Sequence, residues 1–301
     1  MPPRILLVVD KSGSMDRAAT GYPGTKWAAA QDRLSSMVFD LDDVAEFGLM
    51  PFPAVGATDL CATGTVTVPL QASTATAISD ELFAIDPLGA TPTAATLRAA
   101  KSVLDALPAQ GGDRAVVLAT DGGPNCNLRL DATTCRCTPG VECAPNNPVG
   151  ATRTNLAPAN CIDDDGAAAA AARALNDAGY PVFVIGIPGI NGLEDVMNHL
   201  ADAGGTALAG GTRYYDASTD DALARSLEEA ALRISSCRFD LAAPVATADD
   251  VTVQIDGRVV ARDAGRTQGW DLVDADTVEL FGATCTQGAD ALTGVVVRAC
   301  R

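Results

Sequence analysis

The chain has 301 residues, 48% of them apolar, which suits one large domain with a small companion and an ordinary buried core. With 38 acidic against 21 basic residues, the formal net charge is −17, a balance that repels phosphate backbones and anionic membrane surfaces. No apolar run reaches the length that crosses a bilayer.

Arg4–Asp10 (RILLVVD) is a continuous apolar run ending in a carboxylate, as expected of a central parallel strand covered on both faces. Residues 25–40 have helical spacing, with Trp27, Ala30, Leu34, Met37 and Val38 on one face. Strands are expected at 47–52 (FGLMPF) and 64–70 (GTVTVPL), where Pro51 and Pro69 point to sheet ends or edges. Helices follow at 75–85 and 92–107, the second with Pro92 in its first turn, where a missing N–H costs nothing. Residues 114–120 (RAVVLAT) read as another buried strand, again with a carboxylate, Asp121, at its end.

An irregular, cysteine-bearing insertion then spans 122–162, far longer than an ordinary strand-to-helix connection. A helix over 163–178 opens with Asp163, Asp164 and Asp165, where the helix dipole favours them. A strand at 181–187, a helix at 193–203, a short strand at 213–216 and a helix at 219–236 complete the alternation. The fold class is therefore α/β: a doubly wound, mostly parallel central sheet flanked by helices. After Cys237 the pattern becomes strands alone: 251–255, an Asp256-Gly257 hairpin turn, 258–261, 277–281 and 295–298. The expected organisation is a binding domain over 1–236 followed by a small all-β module over 237–301.

Nine cysteines are many for a cytosolic protein of this size. Cys126, Cys135, Cys137, Cys143 and Cys161 crowd into the insertion, Cys61 precedes it, and Cys237, Cys285 and Cys300 come late. With no histidine near them they read as a disulfide framework in an oxidising compartment, not as a zinc site. An odd count leaves at least one thiol without an internal partner. The sequence enters its first strand directly after Met-Pro-Pro-Arg, so oxidised cysteines imply an export signal that this sequence does not include. The only lysines are Lys11, Lys26 and Lys101; beside many Arg and Ala they read as base composition with little functional content.

In a doubly wound sheet, ligands gather outside the carboxyl ends of the strands. Three segments converge there: Asp10-Lys11-Ser12-Gly13-Ser14, Gly89-Ala90-Thr91-Pro92-Thr93 and Thr120-Asp121-Gly122-Gly123. They offer two carboxylates and several hydroxyls, an oxygen-only set suited to a hard cation of the magnesium class. Either Thr91 or Thr93 could supply the hydroxyl of the second loop. Taken singly, the pieces are ordinary: Asp and Ser are turn residues, and Thr91 could cap a helix.

At Asp10, Ser12 and Ser14, then Thr91, then Asp121, the sequence resembles the von Willebrand factor A-type domain, whose metal-ion-dependent adhesion site follows D-x-S-x-S, a Thr and a later Asp. Ala203-Gly204-Gly205-Thr206 before the strand near Tyr214 also resembles that family, and the likeness extends over roughly residues 3–236. The resemblance selects Thr91 over Thr93. It implies a secreted or surface-exposed adhesion or protein-binding module, in which Mg²⁺ (or Mn²⁺ or Ca²⁺) binds an Asp or Glu of a protein partner. The cysteine insertion and the β module depart from the family pattern and bear on the identity of the ligand.

The rival reading is a magnesium-dependent phosphatase-type hydrolase with Asp10 as nucleophile. That chemistry needs a second Asp two residues on as general acid, and Ser12 stands there. The G-x-S-x-G nucleophile elbow is absent, and the lone His199 has no catalytic partner in sequence.

Overall fold

A strand apolar on both faces must be covered on both, and β1 (Arg4–Asp10) accordingly lies inside a six-stranded sheet. The computed structural model describes residues 2–43, 45–108, 113–138, 143, 158–163, 166–188, 192–235, 238–241, 243–281, 284 and 295–299. β1 pairs in parallel with β2 (Glu46–Phe52) on one side and β4 (Arg114–Thr120) on the other. β5 (Val182–Gly186) and β6 (Tyr215–Asp216) extend the parallel sheet beyond β4, and β3 (Val68–Gln71) is an antiparallel edge beside β2. The order is β3-β2-β1-β4-β5-β6. The chain leaves β1 toward β2 and later returns to its other side as β4. Loops therefore diverge above the carboxyl ends of β1 and β4, and a crevice opens there.

Among the described residues the α-helices are α1 (Lys26–Leu41), α2 (Ala75–Ala84), α3 (Thr93–Asp105), α4 (Ala167–Asn176), α5 (Glu194–Gly204) and α6 (Asp220–Ser235). Leu97 and Leu104 of α3, Leu175 of α4 and Leu200 of α5 pack in one buried cluster with Leu6, Val8, Val116, Leu118 and Val184. Ile5, Leu7 and Val9 are buried equally, as a two-sided strand requires. Thr25 caps α1 by accepting the Ala28 N–H at 3.1 Å, and Trp27 donates its indole N–H to the Ile85 carbonyl at 3.0 Å, tying α1 to the end of α2. Gly204 lets α5 approach β5, since a Cβ there would lie 2.5 Å from the Val182 carbonyl oxygen.

Two local expectations need correction. The strand expected over 64–70 is shorter: β3 starts at Val68, the Thr67 N–H still donates to the Leu49 carbonyl at 3.0 Å, and Gly64 turns to α3. The Gly64 N–H donates to the Thr96 hydroxyl at 3.1 Å, and a Cβ at Gly64 would lie 2.8 Å from the Pro51 carbonyl oxygen. Asp163 does not open a helix: α4 starts at Ala167, behind Gly166 at φ 83°. Asp163 is instead buried in the insertion, where its N–H donates to the Pro124 carbonyl at 2.7 Å and its carboxylate accepts from Asn127 at 3.0 Å. Asp164 and Asp165 lie outside the described residues.

The chain divides into two compact units, Met1–Glu228 and Glu229–Arg301, with the division inside α6. The second unit holds two antiparallel three-stranded sheets. One has the order β10 (Gly269–Leu272), β11 (Thr277–Phe281), β7 (Arg238–Asp240); the other has β12 (Val295–Ala299), β8 (Val251–Ile255), β9 (Arg258–Val259). Asp256 and Gly257, at φ 48° and 75°, make the two-residue turn between β8 and β9. Val253, Ile255, Trp270, Val278 and Leu280 form its core. The strands β7 and β10 were not read from sequence, being short and without clear alternation.

Leu97 is fully buried in the cluster shared with the sheet, α4 and α5, so Leu97→Ala is expected to destabilise the first unit by about 2–5 kcal/mol. Urea denaturation followed by the helical circular dichroism signal reads this directly; a loss below about 1 kcal/mol would mean that this layer is not packed as described.

Candidate metal site

Asp10 ends β1 and Asp121 follows β4, so the register that sets Val9 beside Ala119 brings two carboxylates to one crevice. Both are buried, at 0% and 1% exposure. A buried carboxylate needs partners for its lone pairs. Asp10 Oδ1 accepts the Ser12 N–H at 2.7 Å and Oδ2 accepts the Thr120 hydroxyl at 2.5 Å. The first bond curls the chain back over the strand end and points the next hydroxyls inward. Ser12 Oγ and Ser14 Oγ lie 2.9 Å apart, and Ser14 Oγ donates to Asp121 Oδ1 at 2.8 Å. The single proton of Ser14 is thereby used, so Ser12 donates to Ser14. On the far side, the Lys26 ammonium donates to Asp121 Oδ2.

Thr91 joins this cluster through the backbone. The Gly13 N–H donates to the Gly89 carbonyl at 3.0 Å, which binds the first loop to the second. The Thr91 N–H donates to Asn125 Oδ1 at 2.7 Å, and the Asn125 N–H returns a bond to the Thr91 carbonyl at 2.9 Å. A Cβ built on Gly122 would lie 4.0 Å from Thr91 Oγ1, so this hydroxyl sits against the chain immediately after Asp121. Thr93 differs: its hydroxyl turns to the Thr91 carbonyl at 3.5 Å, inside the start of α3.

All five residues singled out in the sequence, Asp10, Ser12, Ser14, Thr91 and Asp121, thus meet at one strand-end crevice. Three further members were missed. Thr120 carried a signal, as a hydroxyl beside Asp121. Asn125 carried none, because its role depends on a loop conformation. Lys26 was set aside as composition, yet it and Lys11 are both 5% exposed and both stand here, the Lys11 ammonium donating to the Leu88 carbonyl at 3.2 Å.

The electrostatics follow from the burial. Desolvation, and then the charge of Asp121, push the Asp10 carboxyl up to about 7 against the hydrogen bonds that favour its ionised form. Burial likewise lowers Lys11, with the Asp10 charge opposing it. Two adjacent buried carboxylates repel each other, and the Lys26 ammonium on Asp121 offsets part of that cost. The all-oxygen donor set fits a hard cation of the magnesium class.

The loops are also cross-linked. Cys61–Cys126 ties the loop after β2 to the one after β4, next to Asn125. Cys135–Cys161 and Cys137–Cys143 brace the insertion, whose two arms meet at an antiparallel bridge between Cys137 and Cys161. Cys237, Cys285 and Cys300 lie outside the described residues.

Two outcomes are expected. Replacing Cys61 and Cys126 together by Ser removes a cross-link spanning 65 residues and lowers stability by about 2–4 kcal/mol, read by denaturant melts. In chelator-treated protein, Asp10 holds its proton more tightly folded (about 7) than unfolded (about 4), so its contribution to stability falls as pH rises between those values. Melts at pH 5 and pH 7.5 should show a loss in the native chain that Asp10→Asn reduces; identical pH slopes would contradict the assignment.

Residues 5–124 match the family model described as the von Willebrand factor type A domain. No curated protein sequence is significantly similar to the chain. Among solved structures, the chain is similar to the pilus adhesin SpaC of Lactobacillus rhamnosus GG, at 19% identity and a TM-score of 0.52, over 94% of this chain and 38% of that one. It is also similar to the PilB minor pilin of Streptococcus sanguinis, at 21% identity and a TM-score of 0.54, over 78% of this chain and 61% of that one. The vWF domain of the type V pili tip protein Mfa5 of Porphyromonas gingivalis has 15% identity and a TM-score of 0.51, over 76% and 94%. The mostly parallel sheet with its flanking helices is thus a von Willebrand factor A-type fold. The chain spans little more than a third of the SpaC chain and less than two thirds of the PilB chain.

Proposed function

We propose that the von Willebrand factor A-type unit of this chain is a divalent-cation-dependent protein-binding or adhesion module, secreted or displayed at the cell surface. The observation that carries the reading is the linked cluster in which Asp10, Ser12, Ser14 and Asp121 share one run of hydrogen bonds, with Thr91 docked beside Asp121. In this reading those five residues hold Mg²⁺, directly or through water, and Mn²⁺ or Ca²⁺ can take its place. Three neutral hydroxyls and two carboxylates supply five oxygens, one fewer than the six a magnesium ion takes. An Asp or Glu of a protein partner supplies the missing oxygen and completes the shell.

The cross-linked loops support this use of the site. The Cys61–Cys126 bridge and the paired bonds between Asn125 and Thr91 hold the donors in place before any ligand arrives, which lowers the ordering cost of binding. Three disulfides support an oxidising location. Among the described residues no helix is long and apolar enough to cross a membrane. That structures of this fold include a pilus adhesin, a minor pilin and a pilus tip protein supports an adhesive or assembly role.

The hydrolase reading has weaker support. A nucleophilic carboxylate must present an oxygen to substrate, whereas Asp10 is fully buried with both oxygens accepting hydrogen bonds. Ser12 also leaves the general-acid position without an acid.

Titrating Mg²⁺ into chelator-treated protein tests the reading. Stabilisation should grow by mass action to about 2.7 kcal/mol at a hundredfold excess over Kd, raising Tm, and vanish in the Asp10→Ala, Asp121→Ala double variant. No shift in the native chain, or an equal shift in the variant, contradicts it.

A further inference from the structure

Two of the three lysines of this chain are buried at the cation crevice, and they are not equivalent. Lys11 spends its ammonium on a backbone carbonyl, that of Leu88. Lys26 forms a buried ion pair with Asp121, with the two side chains 7% and 0% exposed. It is the first residue of α1, fixed by the Thr25 cap and by its own N–H, which donates to the Arg17 carbonyl at 3.0 Å. The ammonium is therefore delivered by a helix start held at both its cap and its backbone.

The consequence lies in how the carboxylate oxygens are shared. Asp10 takes its hydrogen bonds from dipoles, the Ser12 N–H and the Thr120 hydroxyl, and feels the charge of Lys11 without an ion-pair contact. Asp121 divides its oxygens between a dipole, the Ser14 hydroxyl, and a full positive charge. A cation held by these five residues would share Asp121 with the ammonium, in a crevice where burial weakens screening. Electrostatics at that range are strong enough to change affinity by an order of magnitude or more.

We propose that Lys26 is a built-in counter-cation, which competes with the divalent ion for Asp121, keeps metal affinity low, and shifts the charge balance of the site toward acceptance of an external carboxylate. This deepens the cation-dependent reading above and rests on it. Lys26 does two opposed things. Without metal it neutralises one of two neighbouring buried carboxylates; with metal it repels the ion and adds positive charge for the incoming acid. Metal and acidic partner then bind cooperatively, because neither alone balances the crevice.

Isothermal titration with MgCl2 into the chelator-treated full chain tests this in four proteins: native, Lys26→Met, Lys26→Arg and Lys101→Met. Lys101 is a suitable control because it is partly exposed on α3, paired with Asp105. Lys26→Met should bind Mg²⁺ about tenfold more tightly or better, while its metal-free Tm falls because Asp10 and Asp121 lose that counter-charge. Lys26→Arg keeps the charge and should stay within about threefold of native, which holds the proposal to account even if the Met variant fails to fold. Lys101→Met should match native in both readouts. Native protein that binds Mg²⁺ with Lys26→Met unchanged or weaker overturns the counter-cation role and leaves the metal site standing. Tightening by Arg equal to that by Met overturns the charge argument. Binding seen only in Lys26→Met supports the proposal strongly; absence of binding in all four proteins overturns both it and the metal reading.

Discussion

Two carboxylates, Asp10 and Asp121, are buried side by side at the ends of adjacent parallel strands, and much of the first unit is arranged around that arrangement. Like charges in a desolvated crevice repel, and each lone pair without a donor costs stability. The surrounding groups answer those demands: Thr120 and the Ser12 N–H for Asp10, Ser14 and Lys26 for Asp121. The answer is incomplete, since the Asp10 carboxyl still stands well above its usual range. A residual imbalance of this kind, in a crevice that the fold opens by its own topology, is a physical reason for the site to take up a cation.

The supporting shell comes from segments far apart in sequence. The loop after β1 is held to the Gly89–Thr93 loop by Gly13, the latter loop is pinned by Asn125, and the Asn125 loop is clamped to the chain after β2 by Cys61–Cys126. The insertion that departs from the usual strand-to-helix connection is thus mechanically coupled, at its start, to the proposed metal ligands.

The sheet was legible in the sequence because buried parallel strands are continuous apolar runs, and RILLVVD and RAVVLAT leave little choice. Asp10, Ser12, Ser14 and Asp121 were legible as candidates because each closes or follows a strand whose end could be located, whereas Thr91 was chosen over Thr93 by the family resemblance. Lys26 was not, since a lysine at a helix start is ordinarily solvated and its burial depends on what α1 packs beside. Asp163 misled for a related reason: an acidic run before an Ala-rich stretch looks like a helix start, but Gly166 delays α4 and the insertion draws Asp163 inward. The edge strand β3 is shorter than expected because residues 64–67 alternate like a strand while the Gly64 N–H is taken by Thr96 of α3 in place of a ladder partner. In each miss a long-range contact overrode a sound local pattern.

The central claim is that the five-oxygen crevice holds a divalent cation. The most direct measurement is anomalous diffraction from crystals of the chain grown with Mn²⁺. One strong peak is expected within coordination reach, directly or through water, of Asp10, Ser12, Ser14, Thr91 and Asp121, at about 2.0–2.3 Å for direct oxygen ligands. A peak elsewhere with this crevice empty, or Lys26 filling the position among the five oxygens at saturating Mn²⁺, would contradict it.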